Sequence, residues 1–315
     1  LRAGFKEELM SVDDQIQADY ESALEFLEEG EIDRARPCLR RMMKAAPDDL
    51  RTVELSGDFA RFRGEYEKAD QLYRRLIALS DELSVLAISL MNRGTNYELQ
   101  GKRAEATEMY TQAIDAYCEM GDEEGLLCGY SQLGILQTES GHLKAAVSTL
   151  TKALALVADP NLQTMHCEDV NASDQDAEFA EEDRVINELT RGNLERELGQ
   201  VHRMLGDLDT AIDFFNTAIA RYRDIDDQVE VAYTLDCLGI VRQIQGDYEE
   251  AESLHERAIA INEAFGNEAG LSSNYGNLAI LHRHRRDFDK VEYYINKAYE
   301  IDKAQGRAGA VADYH

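Results

Sequence analysis

Tryptophan is absent from this 315-residue chain, proline occurs three times and aromatic residues make up 8 % of it. With 44 % hydrophobic residues, that is an Ala/Leu/Glu-rich helical composition and not a β one, so helices are expected nearly throughout. Basic residues are scarce too: 33 Lys and Arg stand against 62 Asp and Glu, a net charge of −29. Nucleic acid binds through phosphate neutralisation and anionic membranes through basic patches, so a surface this acidic argues against both. The five cysteines, Cys38, Cys118, Cys128, Cys167 and Cys237, form no CxxC pair and are odd in number, which argues against a disulfide framework or a zinc site. No uncharged apolar run of about 18 residues exists, and residues 1–10 carry Arg2, Lys6, Glu7 and Glu8. Neither direct membrane insertion nor a signal peptide is visible, and a reducing cytoplasm is the expected setting. Leu1 in place of an initiating Met makes a longer native chain the expectation.

What the sequence does contain is a repeat. A Gly, an aromatic or aliphatic residue two positions later, Ala five later and a bulky apolar residue nine later recur along the chain. The copies are Gly30-Ile32-Ala35-Leu39, Gly64-Tyr66-Ala69-Tyr73, Gly101-Arg103-Ala106-Tyr110, Gly141-Leu143-Ala146-Leu150, Gly206-Leu208-Ala211-Phe215 and Gly246-Tyr248-Ala251-His255. Arg286-Phe288-Val291-Ile295 is a degenerate seventh. Seven residues before each start sits a small residue: Ala23, Gly57, Gly94, Gly134, Gly199, Gly239 and Ala279. Successive starts are 34, 37, 40, 65, 40 and 40 residues apart.

An antiparallel helix pair accounts for this pattern. The small residue lets the second helix approach, the Gly turns the chain in a left-handed conformation, and the Ala packs back into the gap. A single hairpin leaves its apolar stripes open, so hairpins must stack on one another. The motif resembles the tetratricopeptide repeat, which repeat one fits with Ala23, Phe26, Ala35 and Pro47. The 40-residue copies look like the longer variant of kinesin light chains and Pins-type adaptors, best seen at residues 271–281 with Tyr293 and Ala298. The resemblance, over about residues 16–305, implies an all-α, right-handed superhelical solenoid of helical hairpins.

Two irregularities set the expected organisation. The 65-residue step holds an insertion, residues 157–183, with nine carboxylates and no Lys or Arg, expected to be a solvated loop leading into an overlong helix that starts near Glu178. Residues 306–315 echo residues 266–275, as though an eighth repeat begins there or the chain closes on a capping helix. Repeats one to four with an N-terminal flank then occupy residues 1–156, and repeats five to seven residues 184–305.

Signatures of catalysis fail in turn. Gly101-Lys102 is followed by Arg103 where a P-loop needs Ser or Thr, and His255-Glu256 by Ile259 where a zinc protease needs its second His. The stretch from Asp169 to Ala180 departs from a calcium loop at Asp174, Asp176 and Ala180. His282 and His284 lie about 200° apart around a helix and do not chelate one ion, so the basic run 282–286 reads as a solvated helix end or a contact for an acidic partner. No enzyme activity, metal or cofactor is expected.

In tetratricopeptide proteins the first helix of each hairpin lines a concave groove, at positions 2, 5, 6, 9, 12 and 13 when the small residue is position 8. The resemblance therefore implies a peptide-binding groove built from Asn193, Arg196, Gln200, Arg203, Tyr233, Gln243, Asn277 and Arg283, with Glu197, Asp236 and His284 beside them. Arg51, Arg61 and Asn92 hold like positions in repeats two and three. The family's carboxylate clamp is incomplete, since only Asn92 and Asn277 match its sixth position. The expected function is a non-catalytic scaffold that holds an extended or helical segment of a protein or peptide, including an acidic one, in that groove. Two alternatives stand: a self-assembling structural module, with a homo-oligomer among its partners, and the sensor or interaction part of a larger regulator.

Overall fold

The computed structural model describes residues 11–28, 30–157 and 174–306. Among them lie fourteen helices and no strand: α1 (Val12–Glu28), α2 (Ile32–Ala45), α3 (Leu50–Phe62), α4 (Tyr66–Leu79), α5 (Leu83–Glu98), α6 (Arg103–Met120), α7 (Glu123–Glu139), α8 (Leu143–Val157), α9 (Asp174–Leu205), α10 (Leu208–Asp224), α11 (Gln228–Gln245), α12 (Tyr248–Phe265), α13 (Glu268–Arg285) and α14 (Phe288–Ala304). The chain forms two compact units that part between Leu136 and Gln137, inside α7. In the first, α1 pairs with α2, α3 with α4 and α5 with α6; in the second, α9 pairs with α10, α11 with α12 and α13 with α14. Each unit is an all-α stack of helical hairpins.

The repeat residues do what the hairpin requires. Ala35, Ala69, Ala106, Ala146, Ala211 and Ala251 are fully buried. A Cβ on Gly199 would lie 2.8 Å from Phe215, and one on Gly239 2.7 Å from His255, so a bare backbone is what admits the facing ring. At the hairpin heads Gly246 takes φ 85°. Its N–H donates to the carbonyl of Gln243 (3.1 Å), and that of Asp247 to the carbonyl of Arg242 (2.9 Å), which satisfies the last carbonyls of α11. Asp247 then caps α12 by accepting from the Glu250 N–H at 3.2 Å.

In the seventh copy Arg286 adopts the same left-handed turn, φ 59°, which crowds a side chain's Cβ. Replacing Arg286 with Gly is therefore expected to stabilise the α13–α14 hairpin by up to about 1 kcal/mol, since the relieved backbone strain outweighs the extra freedom of glycine when unfolded. A lower melting temperature for Arg286→Gly would refute that.

One expectation shifts. The long helix begins at Asp174, ahead of the expected Glu178, and runs 32 residues to Leu205. On either side of residues 158–173, α8 packs on α9 within the second unit. Residues 158–173, with the start of the calcium-like stretch, and residues 307–315 of the eighth-repeat echo lie outside the described residues.

Candidate functional site

The expected groove residues fall on α9, α11 and α13, the first helices of three successive hairpins in the second unit. Neighbouring turns there are tied together by polar contacts that cross between helices. On α9, Asn193 accepts from the Tyr222 hydroxyl of α10 at 2.9 Å. Arg196 pairs with Glu230 of α11 and with Glu197 (3.4 Å), and its guanidinium lies 4.9 Å from the ring centre of Tyr233. Gln200 accepts from Arg203 at 2.9 Å and reaches the Cys237 thiol at 3.5 Å.

On α11 the buried carboxylate of Asp236 joins two hairpins. One oxygen lies 2.6 Å from Nδ1 of His255 on α12, and the other accepts from the Asn277 amide of α13 at 2.7 Å. His255 is completely buried, and its Nε2 has no hydrogen-bond partner among the described residues. Burial shapes the surrounding acidities: it pushes the Cys237 thiol up to about 12 and raises the Glu197 carboxyl, which Arg196 only partly offsets. Cys237 is thus a protonated core group and no nucleophile.

The expected set therefore divides. Asn193, Arg196, Gln200 and Asn277 are half-buried and held by partners within the fold. Tyr233 is 49 % exposed, Arg283 is exposed, and Gln243 is half-buried. Arg203 and Arg283 have no carboxylate within ion-pair distance among the described residues. The pairing of Arg196 was not legible because Glu230 lies 34 residues away, on the next hairpin.

The basic run 282–286 corrects one expectation. It is not a uniformly solvated helix end: His282 is 1 % exposed, stacked 5.4 Å from the Tyr294 ring with Nε2 3.3 Å from Glu252. Burial holds its pKa below the usual histidine value. Arg285 reaches Glu249 at 2.6 Å and Glu252 at 2.5 Å, while His284 stacks on Tyr248. Among the described residues no three His, Cys, Asp or Glu side chains converge on a metal-sized site, and no helix is long and apolar enough to cross a membrane.

Two family models, both described as tetratricopeptide repeat, match residues 20–83 and 228–304. No curated protein matches the chain in sequence. Several solved structures are similar in fold. The apo form of RapI is 11 % identical with a TM-score of 0.70, the alignment covering 93 % of this chain and 77 % of that one. A chain of the APC/C hetero-tetramer Cut9–Hcn1 is 15 % identical with a TM-score of 0.60 over 89 % of this chain, which spans only 45 % of that chain's length. A Podospora anserina protein with nearly identical kinesin light chain TPR-like repeats is 17 % identical with a TM-score of 0.53, covering 70 % of this chain and 98 % of that one. At such identities the likeness is one of fold.

Proposed function

This chain is a tetratricopeptide repeat protein, and from that premise we propose that it is a non-catalytic scaffold whose second unit holds a partner peptide along α9, α11 and α13. Repeats of this family generally mediate protein–protein interaction. The observation that carries the finer reading is the division of labour on those three helices. Arg196, Asp236 and Asn277 spend their hydrogen bonds inside the fold and fix the spacing of the hairpins. Arg203, Tyr233, Gln243 and Arg283 stay available at that spacing, which suits an extended segment presenting carboxylates and backbone carbonyls. In a chain of net charge −29, two arginines without carboxylate partners favour an acidic segment over a basic one. The four free thiols among the described residues fit the reducing cytoplasm expected from the sequence.

The absence of tryptophan supplies a local probe. Tyr233→Trp would place the protein's sole indole at the proposed contact. A library of short acidic peptides titrated into that variant is expected to yield members that shift its emission saturably. Adding Arg203→Glu and Arg283→Glu is expected to weaken those members by about tenfold or more, the worth of losing one or two charge-assisted hydrogen bonds. Binding that is unchanged by the two reversals, with helicity intact, would exclude this face as the peptide site. Arg196 is left alone in this design because a glutamate there would face Glu230 and disturb the fold itself.

A further inference from the structure

The first unit holds a cleft on helices the family's groove does not use. A cleft of about 420 Å³ elsewhere in the chain lies open at the α8 turn, but one of about 330 Å³ between α2 and α4, floored by α3, is the better formed. Its apolar lining includes Leu39, Val53, Phe59, Ala60 and Leu72. Its rim carries Arg36, Arg40, Arg63, Lys68 and Arg75, with Glu65 as the sole lining carboxylate. Five of the 33 basic side chains of a strongly acidic protein thus surround one apolar cleft.

The charge of this rim is only partly spent. Arg63 and Lys68 share Glu65, at 2.9 and 3.1 Å. Arg36 pairs with Asp33 at 3.0 Å and Arg75 with Asp48. Arg40 is exposed and has no carboxylate partner among the described residues. All of these pairs are solvated at one or both ends, so each is weak and an incoming carboxylate can compete for the cation. Spacing narrows the occupant further. Arg36, Arg40 and Met43 follow one face of α2, and Lys68, Leu72 and Arg75 one face of α4. Seven residues of helix rise about 10 Å, so the cations line a trough and do not converge on one point. A single-headed anion engages one end of such a trough, whereas an extended peptide spans it with about three residues.

We infer that the α2–α4 cleft binds an acidic peptide segment of a partner protein, with one apolar side chain seated between Phe59 and Leu72 and flanking carboxylates on the arginine and lysine rim. This site is independent of the α9–α11–α13 face, and the two are separable by experiment.

The probe is the peptide Asp-Glu-Leu-Phe-Glu-Asp, capped at both ends and fluorescein-labelled, followed by anisotropy with the full chain. A Met43→Trp variant, whose only indole would sit on the rim, locates the binding by its emission. Saturable binding is expected, with an emission change in Met43→Trp. It should weaken by about tenfold or more in Arg40→Glu/Lys68→Glu, and likewise when Leu-Phe in the peptide is replaced by Ser-Ser. Arg203→Glu/Arg283→Glu is expected to leave the emission titration of Met43→Trp within about twofold, which separates this site from the other face. If the glutamate pair loses helicity, Arg40→Gln/Lys68→Gln, which adds no repulsion, is expected to weaken binding several-fold. No saturable binding, or binding indifferent to the charge changes, overturns the proposal. So does dodecanoate saturating the Met43→Trp signal while the peptide fails to compete, because the occupant would then be a small amphiphile.

Discussion

Replacing Asp236 with alanine is expected to destabilise the second unit by about 3–5 kcal/mol, the cost of stripping one partner from a buried, charge-assisted hydrogen-bond network. The carboxylate is 5 % exposed and serves two hairpins, through His255 Nδ1 at 2.6 Å and the Asn277 amide at 2.7 Å. Without it, the wholly buried His255 ring has no hydrogen-bond partner left on either nitrogen, since Nε2 already lacks one among the described residues. The repeat itself supplies the control. Phe215 stands 40 residues before His255, buried against Gly199 as His255 is against Gly239, and needs no acceptor. His255→Phe in the Asp236→Ala background is therefore expected to recover much of the loss, with a coupling energy of about 1.5 kcal/mol or more in the double-mutant cycle. Because hairpin stacks unfold piecewise, the readout is amide hydrogen exchange on α11, α12 and α13 beside urea denaturation. Strict additivity of the two substitutions would mean that the Asp236–His255 contact contributes nothing of its own.

The same comparison shows what was legible in the sequence. Gly57, Gly199, Gly239 and the buried alanines announced themselves because hairpin packing imposes one requirement at one position in every copy. Residues that differ from copy to copy, such as Asp236 where Arg196 stands 40 residues earlier, show no such regularity. Several of their partners lie one hairpin away, and 34 residues separate Arg196 from Glu230 while 41 separate Asn277 from Asp236. Those pairings depend on the register between hairpins, which a repeat pattern does not specify. The α2–α4 cleft escaped for a different reason. Its sequence sign, basic and apolar residues alternating at helical spacing from Arg36 to Met43 and from Lys68 to Arg75, falls on second helices, whereas the family's groove directs attention to the first. The charge at residues 282–286 misled in the opposite sense: the run contains a histidine buried under Tyr294, because that position on α13 faces the next helix whatever its residue type.

One substitution made at two sites separates packing from propensity. Glycine to alanine in a helix gains about 1 kcal/mol when nothing is in the way. At Gly276, on α13, nothing lies within 4 Å of where the methyl would sit, so Gly276→Ala is expected to realise most of that gain. At Gly57, on α3, the new Cβ would lie 2.5 Å from Cε1 of Tyr73. Tyr73 has no easy retreat. It is wholly buried, and its hydroxyl donates to Asp58 at 2.8 Å, a carboxylate that Arg61 holds at 2.9 Å. Either α4 moves away from α3 or the tyrosine gives up that hydrogen bond, leaving Asp58 in a site where burial already raises its pKa. Gly57→Ala is therefore expected to destabilise the first unit by about 1–3 kcal/mol, the usual range for overpacking a filled core and enough to outweigh the helical gain. Tyr73→Phe in that background should recover little, because the clash is with the ring edge and not the hydroxyl, whereas Tyr73→Leu should recover more. Thermal melts of the four variants, with hydrogen exchange to assign each loss to its unit, decide it. Equal stabilisation by Gly57→Ala and Gly276→Ala would mean that the small residue of each repeat is a matter of helix propensity alone, and that close approach of the two helices in a hairpin does not require it.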